Sequence, residues 1–129
     1  MQILTFLLRG EQFAIDIKLV DTIQNKMPIT PVPKSKKYVI GLISNRGSVI
    51  PIINTSLILN AEDTTNTFEK FIIINLGNEK LALAVNDIDD VLEIEQKTIE
   101  NIDNDEDFSI VKVNSNIITL LTYKQLQKI

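Results

Sequence analysis

Oxygen-bearing side chains are densest in the stretch NDIDD, residues Asn86 to Asp90. Carboxylates and amides that lie close together are the ligands that Ca²⁺ and Mg²⁺ prefer, so this stretch is a candidate metal site. Its spacing is not that of an EF-hand loop, which needs a Gly and a terminal Glu at fixed offsets. Alternation in VNDIDDVLEI instead predicts a strand, a polar turn and a second strand, with Val85, Ile88 and Val91 facing inward. We therefore predict no metal and no cofactor.

Catalytic chemistry is restricted because the chain contains neither His nor Cys. Their absence removes thiolate nucleophiles, histidine acid–base catalysis, the usual zinc sites and the Ser-His-Asp arrangement. A net charge of −4, a pI of about 4.8 and an aromatic content of 5% also argue against a nucleic-acid partner. An enzyme and a nucleic-acid-binding barrel are both disfavoured.

The 129 residues fit one ordinary domain. The chain has no apolar run long enough for a membrane helix and no apparent secretion signal, so we expect a cytoplasmic protein. Residues 1–61 carry a net charge of +4 and residues 62–129 a net charge of −8. This polarity is either chance composition or a means of orienting a partner. The acidic DNDEDF and the basic PKSKKY are likewise either solvated segments or partner-facing patches.

Short apolar runs bounded by Gly, Pro, Asn and Asp predict a mainly β protein resembling small closed barrels. Brief helices are predicted at TSLILN, around PKSKKYV and at the terminal TYKQLQKI. The predicted strands are ILTFLL, EQFAIDI, YVIGLIS, SVIPII, KFIIINL, KLALAV, DVLEIE, SIVKV and NIITLL.

The chain also contains an internal repeat. ILTFLLRG aligns with KFIIINLG, and at a spacing of 68 residues Phe13–Ile23 aligns with Leu81–Val91. The same spacing sets Val49–Ile58 opposite Ile117–Leu126. Because the register stays constant across distant segments, we predict two similar five-stranded lobes, at about residues 10–60 and 68–129. Two such small lobes would share an interface, and terminal segments could be exchanged between them.

The sequence resembles the CheW-like chemotaxis coupling proteins over nearly its whole length. The likeness is carried by FLLRGEQFAIDIKLVDTI, by TPVPKSKKYVIGLISNRGSVIPIINTSLIL, by LALAVNDIDDVLEI and by IITLLTYKQL. The most specific block runs from Pro33 to Asn54. The resemblance implies a single domain of two SH3-like β-barrels packed side by side.

This resemblance also implies a non-catalytic adaptor that is a monomer when free. Such an adaptor couples the cytoplasmic tip of a chemoreceptor, a methyl-accepting chemotaxis protein, to the regulatory domain of the histidine kinase CheA. It would be cytoplasmic and recruited to membrane-associated receptor arrays, without inserting into the membrane. The alternatives are a CheW-like module of another receptor-kinase system and an accessory coupling protein that weakens arrays.

The matched motif places the receptor contact near Val20, Ile23, Val39, Gly41 and Arg46. The kinase contact is predicted on the acidic second lobe, at Glu100, Ile102 and Phe108.

Arg46, one of only two arginines, lies in the Asn-Arg-Gly triplet of the family motif. Its guanidinium offers a fork of donors for a partner's carboxylate or carbonyls. Alternatively, Gly47 forms a hairpin turn and Arg46 caps it or bridges the lobes.

Several positions depart from the family pattern. Asn54, Asn86 and Thr122 replace common aspartates, Lys36 replaces a proline, and Ser44 and Asn45 stand where Asn and Leu are usual. Asn keeps the hydrogen-bonding shape of Asp without its charge, so we expect turn and helix-cap roles to survive.

Overall fold

The chain is built mainly of β-strands joined by short turns. The computed structural model describes residues 1–33, 36–59, 68–102 and 105–127, and for residues 102 and 105–108 it describes the backbone alone. This part of the chain also holds two short helices, α1 (Thr55–Ile58) and α2 (Tyr123–Gln127), and 3₁₀ turns at Ile17–Leu19 and Gln96–Thr98. The strands are β1 (Gln2–Leu8), β2 (Glu11–Asp16), β3 (Val20–Asn25), β4 (Val39–Asn45), β5 (Ser48–Asn54), β6 (Lys70–Leu76), β7 (Glu79–Val85), β8 (Asp87–Glu93), β9 (Ile99–Ile102), β10 (Asp105–Val113) and β11 (Asn116–Leu121).

These strands form two sheets in two compact units. The central unit, Val20–Asp87, contains a five-stranded sheet with the strand order β3-β6-β7-β5-β4. The terminal unit combines Met1–Leu19 with Ile88–Ile129 and contains a six-stranded sheet with the order β8-β1-β2-β11-β10-β9. The mainly β prediction is confirmed.

Every apolar run predicted as a strand falls in a strand, whereas β3 and β9 were not predicted. Both are edge strands: β3 alternates half-buried and exposed residues, and β9 has only four residues. The helices after Asn54 and at the C-terminus are confirmed. The helix expected around PKSKKYV is not found in its described residues, because Lys37 and Tyr38 form a turn and Val39 begins β4. Residues 34 and 35 lie outside the description.

The sequence repeat is visible in the pairing of the strands. In the central unit β5 pairs with β7 in parallel and Ile52 lies opposite Ala82. In the terminal unit β11 pairs with β2 in parallel and Leu120 lies opposite Ala14. Residues 14 and 82, and residues 52 and 120, are both 68 apart, which is the spacing found in the sequence. The repeat is confirmed at the level of strand pairing.

The units do not follow the predicted lobe boundaries of about 10–60 and 68–129. Instead, β1 and β2 from the chain's start join β8 to β11, while β6 and β7 join β3 to β5. Each sheet therefore takes one hairpin from the other half of the repeat, which is the exchange of segments that the sequence allowed. The physical reason is that the parallel pairs β2–β11 and β5–β7 each join strands distant in sequence.

The sheets also differ in their number of strands, since the terminal unit has six rather than the predicted five. The additional strand is β9, which pairs with the outer edge of β10. At the corresponding edge of the central unit, Thr30 forms a single bridge with Leu42 on β4. Pro28 and Pro31 flank Thr30 and lack the N–H that a longer strand would need.

The central strands of both sheets are buried on both faces, as their continuous apolar sequences indicate. In the central unit Phe71–Ile74 and Leu81–Val85 are buried throughout. In the terminal unit Phe6 and Phe13 lie opposite each other on β1 and β2, with their rings stacked at a centroid distance of 6.1 Å. Burial of each such side chain stabilises the fold by about 1.5–3 kcal/mol.

Candidate protein interaction surface

Arg46 lies at the tip of the hairpin formed by β4 and β5. Asn45 pairs with Ser48, so Arg46 and Gly47 form a two-residue turn. Their φ angles are +51° and +79°, and a positive φ at both central residues is the mark of a type I′ turn. The Arg46 side chain is exposed, and among the described residues it has no hydrogen-bond or ion-pair partner. The hairpin turn is confirmed, and contact of Arg46 with a partner stays a prediction.

Gly41 is required by a close approach within the central unit. It lies buried on β4 beside the segment that bridges to this strand at Thr30. A Cβ atom at Gly41 would lie 2.5 Å from the Thr30 carbonyl oxygen and 2.6 Å from Ile29 Cγ2. Internal packing thus explains this glycine, and its contact with a receptor stays a prediction.

The five residues predicted to bind the receptor all lie in the central unit but on the two end strands of its sheet. Val20 and Ile23 are on β3, at one end of the strand order, and Val39, Gly41 and Arg46 belong to β4 and its turn, at the other. Ile23 and Arg46 are exposed, Val20 and Val39 are half-buried, and Gly41 is buried. Ile23 and Arg46 are therefore the members most accessible to a partner.

The residues predicted to bind the kinase lie on β9 and β10 of the terminal unit. Glu100 is exposed on the edge strand β9 and pairs with Ile110 on β10. The backbone of Ile102 ends β9, and the backbone of Phe108 pairs with Leu121 of β11. The side chains of Ile102 and Phe108 lie outside the described part of the chain. Glu100 is the member whose exposure supports the prediction.

Four of the five large apolar side chains exposed among the described residues form two pairs related by the internal repeat, a feature that sequence reasoning missed; the fifth is Tyr123. Ile23 and Val91 are 41% and 46% exposed, and Val49 and Ile117 are 69% and 61% exposed. Both pairs are separated by 68 residues. These apolar residues stand opposite each other in the aligned sequences. An uninterrupted apolar run, however, does not show which face of its strand is exposed to solvent. Each unit therefore presents two apolar side chains at equivalent positions.

The acidic stretch from Asn86 to Asp90 begins with a bend at Asn86, between β7 and β8, and continues as the first part of β8. The Asp89 carboxylate accepts hydrogen bonds from Gln12 Nε2 at 2.7 Å and from Thr5 Oγ1 at 3.2 Å. Among the described residues no group of three acidic side chains is arranged to hold a metal ion. The inward orientation predicted for Val91 is wrong, because strand side chains alternate with a period of two and Val91 lies on the same face as Asp89.

None of the helices in the described ranges is long and apolar enough to cross a bilayer.

Comparison with known proteins identifies the family. The family model for the CheW-like domain matches residues 2–128. The chain belongs to the CheW-like family. Relatives named "Chemotaxis protein CheW" include that of Thermotoga maritima, 27% identical over 99 residues, which are 77% of this chain and 66% of the relative. That of Rhizobium meliloti is 28% identical over 100 residues, which are 77% of this chain and 64% of the relative. The matched region thus spans slightly less than two thirds of these relatives' length.

A solved CheW structure shares the fold of this chain. The crystal structure of scaffolding protein TtCheW from Thermoanaerobacter tengcongensis aligns with a TM-score of 0.83 at 24% identity. The alignment covers 93% of this chain and 87% of that one. The CheW fold predicted from the sequence is therefore confirmed.

Two departures from the CheW pattern, Asn54 and Thr122, act as helix N-caps. Asn54 Oδ1 accepts a hydrogen bond from the Leu57 amide at 3.4 Å, at the start of α1. Thr122 Oγ1 accepts one from the Gln125 amide at 3.1 Å, at the start of α2. The two caps are again 68 residues apart. The expected survival of the cap role is confirmed at Asn54, and Thr122 has the same role.

Replacement of Thr122 by alanine is expected to destabilise the protein by about 1 kcal/mol, because the Gln125 amide loses its acceptor. Thr122→Ser keeps an oxygen at the same place and should stay close to the wild type. Chemical denaturation of the three proteins measures the difference. Equal stability of Thr122→Ala and Thr122→Ser would contradict a capping contribution.

Proposed function

We propose that this protein is a non-catalytic chemotaxis adaptor that couples chemoreceptors to the histidine kinase CheA. One side would bind the receptor's cytoplasmic tip and the other the kinase's regulatory domain, in cytoplasmic arrays at the membrane. The observation that carries the proposal is the match of residues 2–128 to the CheW-like domain. The relatives named above are chemotaxis proteins, and TtCheW is named a scaffolding protein.

The surface chemistry supports binding by patches rather than catalysis in a pocket. Exposed apolar residues on strands are suited to docking another protein, and an exposed arginine is among the residues enriched at interface hot spots. Ile23, Val49 and Arg46 provide these groups on the central unit. The terminal unit provides Val91 and Ile117, together with the exposed Glu100 on an edge strand.

We assign the receptor contact to the central unit, at Val20 and Ile23 on β3 and at Val39, Gly41 and Arg46 on β4 and its turn. Ile23 would bury its apolar surface against the receptor. The Arg46 guanidinium would bring a positive charge and hydrogen-bond donors with fixed directions. The kinase contact is assigned to the β9–β10 region of the terminal unit, at Glu100, Ile102 and Phe108. This unit carries six basic and eleven acidic side chains, a net charge of −5, so it would favour a basic face of the kinase domain.

The proposal is tested by measuring the binding of the purified chain to a receptor-tip fragment and to the isolated kinase regulatory domain. Calorimetric titration with each, followed by both together, should show binding to both partners and a ternary complex. Light scattering should give the mass of a 14.6 kDa monomer for the free chain. Binding to neither partner refutes the proposal. Binding that weakens arrays of receptor and kinase instead of supporting them would favour the accessory-protein alternative.

A further inference from the structure

Lys70 lies beside the exposed Ile23 on neighbouring strands of the central sheet. In the pairing of β3 with β6, Ile23 lies opposite Ile72 and Asn25 lies opposite Lys70. Side chains of directly opposite residues, and of residues two apart on a strand, lie on the same face of a sheet. Ile23, Asn25 and Lys70 therefore share one face, and β3 is the edge strand at which a partner can reach them.

The Lys70 ammonium has a neutral partner. It donates a hydrogen bond to the Asn25 Oδ1 atom, and the lysine is half-buried. No ion pair joins Lys70 to a carboxylate among the described residues. An ammonium has three N–H donors, and an amide oxygen accepts from one of them without neutralising the charge. Asn25 thus orients this cation beside Ile23 and leaves its charge uncompensated within the described part of the chain.

Lys80 provides a matched comparison in the same unit. Its ammonium lies 3.2 Å from Asp21 Oδ2, and its side chain is 41% exposed. Both lysines thus bond a polar residue of β3, but Lys80 has its counter-charge within the protein. An ion pair would attach Lys70 to β3 equally well, yet the chain places an amide rather than a carboxylate at Asn25. Attachment of β3 therefore explains Lys80 fully and leaves the charge of Lys70 unexplained.

A carboxylate is the group that would complete the surroundings of Lys70. A half-buried cation gains most from an opposite charge that arrives as water is excluded, because the effective dielectric constant falls at such a contact. The central unit does not repel an acidic partner, since its seven basic and six acidic side chains give a net charge of +1. Ile23, 41% exposed, offers apolar surface on the same face. The complementary surface is therefore an apolar side chain with a carboxylate next to it.

We infer that Lys70 determines the specificity of the receptor contact by pairing with a carboxylate of the receptor tip. That carboxylate lies next to the apolar receptor side chain that covers Ile23. The inference rests on the proposed adaptor function and deepens it, since it names the chemistry that the receptor must present at β3. Lys70 belongs to neither set of contact residues assigned above.

Lys70→Met tests the inference, because methionine keeps an unbranched side chain and removes the charge. We expect its affinity for a receptor-tip fragment to fall by about 10-fold and to depend less on salt than that of the wild type. Its affinity for the kinase regulatory domain should stay within about twofold. Lys70→Arg keeps the charge and should lose at most about threefold in receptor affinity. Lys80→Met removes a lysine whose charge Asp21 already pairs, so it should bind the receptor tip within about twofold of the wild type.

A double-mutant cycle locates the carboxylate. Each acidic residue of the receptor tip is replaced in turn by its amide and titrated with the wild type and with Lys70→Met. One replacement should weaken wild-type binding by about 10-fold and Lys70→Met binding no further, because either change alone already breaks the pair. Additive effects at every acidic residue would overturn the inference.

The outcomes separate this inference from the function on which it rests. Wild-type protein that fails to bind the receptor tip overturns the coupling function and the inference together. Receptor binding that Lys70→Met retains within about twofold overturns the inference alone. An equal loss in Lys70→Met and Lys80→Met would show a general attraction to positive charge and would also overturn it. So would a loss of kinase binding or a fall of several degrees in the melting temperature of Lys70→Met, since either would make Lys70 a structural residue.

Discussion

Arg46→Ala is expected to bind the receptor tip about 30-fold more weakly than the wild type and to unfold at nearly the same temperature. The stability of the free protein should change by no more than about 1 kcal/mol, because the side chain is exposed and has no partner among the described residues. Truncation of a hydrogen-bonded charge at a desolvated contact commonly costs roughly 2–5 kcal/mol of binding energy. Each 1.4 kcal/mol corresponds to about a tenfold change in affinity, so the lower end gives about 30-fold.

Arg46→Lys and Ser44→Ala provide the controls for this experiment. Lysine keeps the charge and loses the planar fork, so it should restore only part of the affinity. Ser44 is an exposed residue of β4 on the same hairpin, and its replacement should leave binding within about twofold. Titration with the receptor tip and thermal unfolding of all four proteins give both quantities. Unchanged binding with a large drop in melting temperature would show that Arg46 is an internal brace.

Gly41→Ala is expected to be the most destabilising small substitution in the central unit, at about 2–3 kcal/mol. The added methyl group would lie 2.5 Å from the Thr30 carbonyl oxygen and 2.6 Å from Ile29 Cγ2. The methyl of Ile29 can shift, whereas the Thr30 carbonyl is held because its oxygen accepts a hydrogen bond from the Leu42 amide at 2.8 Å. Relief of the clash therefore requires movement of the segment along β4.

The measurement is thermal unfolding of Gly41→Ala beside Ser44→Ala, which tests alanine at an exposed position of the same strand. The melting temperature of Gly41→Ala should fall by roughly 10 °C, while that of Ser44→Ala should change little. Amide chemical shifts should change around Ile29, Thr30 and Leu42. Wild-type stability of Gly41→Ala combined with lost receptor binding would instead show that Gly41 is a contact residue.

Much of the fold could be predicted from two features of the sequence. The strongest apolar runs indicate strands, and the repeat indicates that equivalent strands are paired in the same way. KFIIINL and KLALAV are buried on both faces, and short uninterrupted apolar runs of this kind predict buried strands. The spacing of 68 residues survives in the strand pairs and in the helix caps at Asn54 and Thr122. This spacing depends on the apolar pattern that fixes which strand positions are buried, so it could be read from the sequence.

Two of the four edge strands, β3 and β9, and the composition of the units could not be predicted in the same way. VDTIQN and IENI carry few apolar residues because one side of an edge strand is unpaired and partly solvated. Which hairpin joins which sheet depends on contacts between residues far apart in sequence, and periodicity within a strand contains no such information. The error at Val91 arose from reading a spacing of three residues as one strand face.

The candidate site was predictable in part. Arg46 stood out as a charge between apolar strands, and the structure places it at an exposed tip. Gly41 was grouped with it, although its packing against Ile29 and Thr30 accounts for the glycine. Arg9 likewise precedes a glycine and lies in a second two-residue hairpin turn. The similarity of the two turns lies in their φ angles, which the sequence does not display.

The exchange of hairpins between the two sheets fixes the order in which the protein can fold on the ribosome. The central unit is complete once Asp87 has been synthesised, and each of its strands then has its neighbours. The β1–β2 hairpin is made before the central unit, yet β11, the strand that covers its β2 edge, begins at Asn116, 100 positions after Asp16 ends β2. Such long-range pairing is slow, and an uncovered apolar edge is prone to association with other chains. The β1–β2 hairpin therefore depends longest on chaperones or rapid translation for protection.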